Sequence, residues 1–234
     1  MTKDSAFVDE DGAAVARRAA AWLVERMEAG MGTFRMALSG GSTPRLLYRL
    51  LSEHPYRNRI PWDRLELFWG DERFVKWTDD SSNYHMAREE WLSRVDAPPS
   101  RVHPIPTDTT PEDCAERYET ILRAIADRRG PAYFDVVLLG LGADGHTASL
   151  LPNQPVLDER ARWVAPVLKG RDEPRITLTY PALESTHAAV FLVTGAEKRD
   201  AVAAVRGGDE RLPAGRLHPK GETIWFLDEA AAGA

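Results

Sequence analysis

The stretch Phe134–Pro152, FDVVLLGLGADGHTASLLP, changes within a few residues from a buried strand to a polar turn. Val136, Val137, Leu138 and Leu139 are apolar at consecutive positions, so both sides of the pleat are apolar, as in a strand covered on both faces. Gly140, Gly142 and Gly145 follow, with Asp144 just before the last of them and His146 just after it. Glycines let the backbone take positive φ and approach a ligand closely, so this turn can present a carboxylate and an imidazole at the end of a central strand. Open α/β sheets keep their sites at that edge.

Taken literally, Gly140, Gly142 and Gly145 spell GxGxxG after a strand, the dinucleotide fingerprint. Asp144 argues against it, because a carboxylate inside the loop would repel a pyrophosphate. The segment from Thr147 to Leu151 also meets Pro152 after little more than a turn, too short for a crossover helix. Asp158 and Glu159 lie in a polar, proline-flanked connection and not at a strand end, so the acidic partner of the fingerprint is missing too.

Working outward, Val15, Ala19, Leu23 and Met27 recur every fourth position and predict a helix from Asp11 to Gly30. Phe34 to Leu38 predicts a short strand, from which Ser39-Gly40-Gly41-Ser42-Thr43-Pro44 leads into a helix bearing Leu46, Leu47, Leu50 and Leu51. With Thr43 as cap and Pro44 in the first position, that helix would turn free N–H groups and its positive dipole end toward the turn. SGGSTP lacks the GK[ST] of a Walker loop, so it suits a phosphate and not a nucleoside triphosphate; its bland reading is an ordinary strand-to-helix turn. Leu65 to Trp69 predicts the next strand, broken by Gly70-Asp71-Glu72-Arg73, which alone reads as a solvated loop. Ser81 or Ser82 can cap a helix with Tyr84, Ala87, Trp91 and Val95 on one side, whose first turn places Asn83 toward the same crevice. Pro111 opens a further helix, with Cys114, Tyr118, Ile121, Leu122 and Ile125 at helical spacing and Gly130 as its stop.

Beyond Pro152, Trp163 to Leu168 and Ile176 to Tyr180 predict strands flanking a basic turn with Lys169, Arg171 and Arg175. Ala188 to Val193 predicts an apolar strand that ends in Thr194-Gly195, followed by a helix from about Ala196 with Lys198 in its first turn. A lysine is electrostatically misplaced there and makes better sense if an anion offsets it, although a solvated side chain would cost little. Thr223 to Asp228 predicts a last strand. The alternation of strands and helices predicts an α/β fold, a largely parallel, doubly wound sheet with helices on both faces, in one domain spanning residues 1–234. In such a sheet the ends SGGST, GDER, GADGH and TGAEK share one edge.

The composition, 43% apolar and 28% charged over 234 residues, is that of an ordinary globular protein, and no apolar run is long enough to span a membrane. The charged opening MTKDSAFVDEDG is unlike a signal peptide, so a cytoplasmic protein is expected, a monomer or weak oligomer with no membrane partner. A net charge of -6 gives no whole-chain attraction to nucleic acid, and any phosphate must be captured locally. The single cysteine, Cys114, excludes an internal disulfide and reads as a core thiol. No HExxH, CxxC or paired-histidine spacing appears, so neither a metal nor a cofactor is expected. Of six histidines, only His146 stands at the edge of a continuously buried strand.

SGGSTP, GDER followed by DSSNY, GLGADGHTASLLP, RITLTYPAL and TGAEKR stand in the order and spacing of the 6-phosphogluconolactonases, and LPAGRLHP with the terminal WFLD resembles their ending. The resemblance covers nearly the whole chain. It implies a Rossmann-like fold shared with glucosamine-6-phosphate deaminase, and hydrolysis of the sugar-phosphate lactone 6-phosphoglucono-δ-lactone to 6-phosphogluconate in the oxidative pentose phosphate pathway. Carried over by position, it makes His146 the general base toward water, a task for which imidazole is suited because its ordinary pKa is about 6.5. Asp144 would orient that imidazole, and Arg73 would stabilise charge on the carbonyl oxygen or fix the sugar acid. Gly40, Gly41, Ser42, Thr43 and Lys198 would hold the 6-phosphate. Asp71, Asn83, Arg171 and Arg175 are further candidates for substrate contact, the two arginines for the same anion.

Two rival functions are weighed against this one. A sugar-phosphate deaminase or isomerase resembling its family would carry a glutamate about five residues after the histidine. That position is Leu151, and Thr147 to Leu151 contains no carboxylate. A non-catalytic sugar-phosphate-binding protein would keep the anion nest, but intact Asp144 and His146 weigh against it.

Overall fold

In the computed structural model, which describes residues 4–126 and 132–234, the continuous apolar runs become the inner strands of one parallel sheet. The chain opens with β1 (Asp4–Asp9) and α1 (Gly12–Ala29), which Asp11 caps by accepting from the Ala14 N–H at 2.8 Å. Next come β2 (Phe34–Leu38), α2 (Ser42–Leu51), β3 (Leu65–Trp69) and β4 (Asp71–Arg73). Through α3 (Asn83–Glu90), β5 (Val102–His103) and α4 (Pro111–Ala126) the chain reaches β6 (Phe134–Leu139). It ends with β7 (Val164–Val167), β8 (Arg175–Leu178), α5 (Tyr180–Leu183), β9 (Thr186–Val193), α6 (Arg199–Arg206), β10 (Glu222–Asp228) and α7 (Glu229–Ala232).

Among the described residues the main sheet has the order β1-β10-β9-β6-β2-β3-β5 and is parallel at every pairing. β6 lies at its centre, and Val136, Val137, Leu138 and Leu139 are all buried, as their unbroken apolar run requires. From β2 the chain steps outward through β3 and β5, then returns to the other side of β2 and steps the opposite way through β6, β9 and β10. The reversal falls between β2 and β6, the switch point at which open α/β sheets bind ligands. The four neighbouring strands β9, β6, β2 and β3 run into TGAEK, GADGH, SGGST and GDER, so those four ends do share one edge.

Several expectations need correction. Asp4–Asp9, inside the charged opening where no element is expected above, adds a strand: its Phe7 stacks on Phe226 of β10 at 5.3 Å between ring centroids, so the charges mark a sheet edge. The strands near 163–168 and 176–180 do not join the main sheet. They are β7 and β8, and with β4 they form a three-stranded antiparallel sheet, while Tyr180 begins α5. GDER is therefore no solvated loop. Val95 lies beyond α3, which ends at Glu90, and the expected stop at Gly130 falls outside the described residues. No helix among the described residues is long and apolar enough to cross a membrane.

Two buried tyrosines fix the carboxyl edge. Tyr48 of α2 accepts from the Ser39 N–H at 3.0 Å and donates to the Ser39 carbonyl at 2.8 Å. Tyr118 of α4 does the same for Trp69, at 2.9 and 3.2 Å. Each phenol occupies the backbone groups that a strand leaves unpaired where it stops, and burial pushes both phenols up, so they stay neutral donors.

Candidate active site

A cleft of about 320 Å³ opens at this edge, lined by the SGGST turn, Asp71, Arg73, Asn83, His146, Arg175, Glu197 and Lys198 among others. Its first wall is the turn after β2. Gly41 has φ +111°, a conformation that favours glycine, and a Cβ on Gly40 would overlap the amide of Asn83. Thr43 does not cap α2 as expected: the N-cap is Gly41, with no side-chain cap, and Thr43 sits inside the first turn with its hydroxyl 2.8 Å from that of Thr194. The helix start thus keeps its N–H groups for a ligand, and the Thr43–Thr194 pair ties this turn to the end of β9.

The second wall comes from the small sheet. Antiparallel register sets Arg73 directly against Arg175, and both line the cleft. Arg73 donates to the Ser81 carbonyl, and the Nε of each arginine is buried without a partner among the described residues. Burial, then the neighbouring Arg73, pushes the Arg175 guanidinium down. Two adjacent cations, incompletely satisfied, are an environment that an anion relieves. Glu72, between Asp71 and Arg73, serves the fold. Its carboxylate accepts from the N–H groups of Arg73, Asn83 and Tyr84 at 2.7, 2.7 and 2.8 Å and from the Ser82 hydroxyl at 3.0 Å. It thereby occupies the start of α3 and aims Asn83 at Asp71, whose carbonyl accepts from the Asn83 amide at 2.9 Å. Asp71 itself is buried and accepts from the Ser149 hydroxyl at 2.6 Å.

The third wall is the GADGH turn. It closes on itself through Gly142 N–H to the His146 carbonyl at 2.8 Å and Gly145 N–H to the Gly142 carbonyl at 2.9 Å. Gly145 takes φ +77°, and its carbonyl accepts from the Ala214 N–H at 2.9 Å, which docks the LPAGR segment beneath the turn. His146 Nδ1 is hydrogen-bonded to Asp144 Oδ1. A carboxylate only accepts, so this contact assigns the proton to Nδ1 and leaves Nε2 as the basic nitrogen. Burial alone would push the Asp144 carboxyl up, but hydrogen bonds from His146 and Arg171 outweigh it and hold it at about 2. Arg171 Nη2 donates to Asp144 Oδ2 at 2.9 Å and lies 3.2 Å from His146 Nδ1. Asp144 and Arg171 stand behind His146 and do not line the cleft.

Lys198 lines the cleft as expected, but from the end of a short turn, Ala196–Lys198, that precedes α6. That turn is anchored by Asp228, the last residue of β10, whose carboxylate accepts from the Gly195 N–H at 3.0 Å. Glu197, Ser149, Thr194 and Asp228 were not singled out by the sequence. Thr194 and Glu197 lie inside the quoted TGAEK motif, Ser149 inside GLGADGHTASLLP and Asp228 inside WFLD, so membership of a motif is the available signal. Among the described residues no group of three His, Cys, Asp or Glu side chains is placed to hold a metal.

Residues 10–225 match the family model of glucosamine-6-phosphate isomerases/6-phosphogluconolactonase. The chain is 43% identical over 210 residues to the 6-phosphogluconolactonase of Nostoc sp., an alignment covering 87% of this chain and 85% of that protein. The crystal structure of 6-phosphogluconolactonase from Thermotoga maritima superimposes with a TM-score of 0.85 at 30% identity, covering 97% of this chain and 100% of that one. A monomeric glucosamine-6-phosphate deaminase shares the fold, with a TM-score of 0.82 at 20% identity over 98% and 99% of the two chains.

Proposed function

From the premise that this chain belongs to the glucosamine-6-phosphate isomerase/6-phosphogluconolactonase family, we propose that it hydrolyses 6-phosphoglucono-δ-lactone to 6-phosphogluconate, with His146 as the base. The observation that carries this reading is that His146, its Nδ1 held by Asp144, lines the same cleft as the open helix start at Gly41–Thr43.

The chemistry follows from the walls. The SGGST turn and Lys198 hold the 6-phosphate, which lies far from the reacting carbonyl and so supplies binding energy for alignment. His146 Nε2 removes a proton from water as the water oxygen bonds to the lactone carbonyl carbon, and the carbonyl electrons move onto its oxygen. Arg73, with Arg175 beside it, stabilises that developing negative charge. Collapse of the tetrahedral intermediate breaks the bond between the carbonyl carbon and the ring oxygen. The departing alkoxide takes the proton from the imidazolium, which leaves the open-chain acid and a neutral histidine. Asp144 keeps Nδ1 protonated throughout and balances the transient imidazolium. Asp71 and Asn83, on the cleft wall, are acceptor and donor for sugar hydroxyls.

The test is turnover of freshly prepared lactone, followed as accelerated proton release over the spontaneous rate. Absence of acceleration by the folded protein refutes the proposal.

A further inference from the structure

We propose that Arg171 is a positioning residue for the base: its Nη2, beside the His146 ring, grips the second oxygen of the Asp144 carboxylate and so fixes the imidazole in the orientation that leaves Nε2 free. This rests on the hydrolytic reading above, and it removes Arg171 from the residues that hold the substrate anion.

The geometry divides the two arginines of the basic turn. Arg175 lines the cleft, whereas Arg171 does not. Arg171 instead spends its Nη2 on Asp144 Oδ2 at 2.9 Å and its Nη1 on the Gly170 carbonyl at 2.9 Å, so the guanidinium is folded back over its own loop. Gly170 has φ +96°, a conformation that favours glycine, and it packs beside Leu151 and Gln154. The two oxygens of Asp144 are thus shared out, Oδ1 to the imidazole and the backbone N–H of His146 and Oδ2 to the guanidinium.

A carboxylate needs this second hold. Asp144 has 40% of its side chain exposed and stands on a glycine-flanked turn; without Arg171 its Oδ1 would keep the imidazole and the His146 N–H at 3.2 Å, but Oδ2 would turn to water and the plane of the carboxylate would no longer be fixed. An imidazole whose Nδ1 partner is not fixed can take the other tautomer or turn its ring, and either change removes the base from the reacting water. The grip also ties the loop between β7 and β8, part of the small antiparallel sheet that supplies Arg73 and Arg175, to the turn that supplies the base. Together with the contacts of Ser149 to Asp71 and Thr177, this ion pair holds the wall that receives negative charge against the wall that takes the proton.

The experiment compares Arg171→Ala, Arg171→Lys, Asp144→Ala and the Arg171→Ala/Asp144→Ala double variant. Loss of one charge-assisted contact is expected to lower kcat about ten- to a hundredfold in Arg171→Ala, with inhibition by inorganic phosphate changed less than about twofold. Arg171→Lys should recover part of kcat, and in the Asp144→Ala background Arg171→Ala should have no further effect. An unchanged kcat in Arg171→Ala, or phosphate inhibition weakened about tenfold or more, overturns the proposal, the latter by returning Arg171 to the anion site. Full additivity of the two alanine substitutions overturns it equally. Wild-type turnover tests the hydrolytic reading separately. Should that fail, nitrogen-resolved NMR of the His146 ring still decides: Arg171→Ala must disturb the Nδ1–H signal, and an undisturbed one overturns the proposal.

Discussion

Gly142→Ala separates catalysis from stability at one atom. A Cβ on Gly142 would overlap His146 Nδ1 and stand 2.5 Å from Asp144 Oδ1, so the added methyl group occupies the space in which the base and its carboxylate meet. Gly142 does not take a positive φ, so alanine fits its backbone, and the lost freedom of the unfolded chain favours folding by about 0.4–1 kcal/mol. The clash falls on the ends of two partly exposed side chains that can swing outward, at the cost of a hydrogen bond worth about 0.5–1.5 kcal/mol. These terms nearly cancel, and the thermal midpoint should move by only a few degrees in a chain of this size. Catalysis has no such compensation: displacing the base by about 1 Å costs roughly 10²-fold, and disengaging it altogether about 10²–10⁴-fold. Kinetics on fresh lactone, beside a thermal melt of the same sample, should show kcat collapsed in a folded protein. Gly145→Ala is the opposite control. Its φ of +77° and the Leu212 side chain 2.8 Å from the new Cβ should cost stability first. A folded Gly142→Ala enzyme with wild-type kcat would show that the Asp144–His146 contact is not part of the reaction.

His146→Ala should lower kcat about 10²–10⁴-fold with the fold retained, checked by circular dichroism and turnover; a folded variant of near-normal rate contradicts the assignment. Lys198→Ala should weaken kcat/KM for the phosphorylated lactone by at least about tenfold and leave slow hydrolysis of unphosphorylated gluconolactone almost unchanged, whereas an equal fall in both would place the anion elsewhere. Activity should survive exhaustive chelation, and its loss and restoration by one divalent ion would refute this. Burial would push the Glu90 carboxyl up, but Arg49 and Arg45 hold it below the usual range, so it stabilises the fold fully above the ordinary glutamate value of about 4.3 and ceases to as pH falls through its lower folded value. Melts below about pH 4 should therefore fall less steeply in Glu90→Gln than in wild type, and identical profiles would exclude the linkage.

The parallel sheet was legible because its strands are apolar at consecutive positions and its helices repeat every fourth residue, signals that survive without tertiary context. The site edge was legible for a related reason, since glycine and charge gather where a buried strand must stop. What stayed hidden depends on pairing partners distant in sequence. β4 is three residues, Asp71–Arg73, whose strand character comes from register with β8 about a hundred residues later, so its charges looked solvated while two of them are buried. The same pairing sets Arg73 beside Arg175, the β7–β8 loop brings Arg171 to Asp144, and no local periodicity encodes either contact. Ser, Thr and Gly all suit an N-cap, so the sequence does not distinguish Thr43 from Gly41, which holds that place while the Thr43 hydroxyl pairs with Thr194.

The shared fold leaves open why such a cleft should hydrolyse a lactone and not move a proton between carbons, and the segment after His146 answers it. Isomerisation or deamination of a sugar phosphate requires acid–base groups for ring opening and for carbon acidity, and resemblance to the deaminases would imply a glutamate about five residues after the histidine, at the position of Leu151. Here that segment is committed to the interior. Thr147 donates to the Gly140 carbonyl at 2.9 Å and Ser149 to Asp71 at 2.6 Å, while Leu150 and Leu151 are buried. A carboxylate at Leu151 would be placed in the core and would have to be neutralised or expelled. Opening an ester needs less: one proton removed from water, held on Nε2, and returned to the leaving oxygen. A single imidazole whose other nitrogen is fixed by a carboxylate suffices for that cycle, and the buried Leu151 adds no second acid–base group beside it.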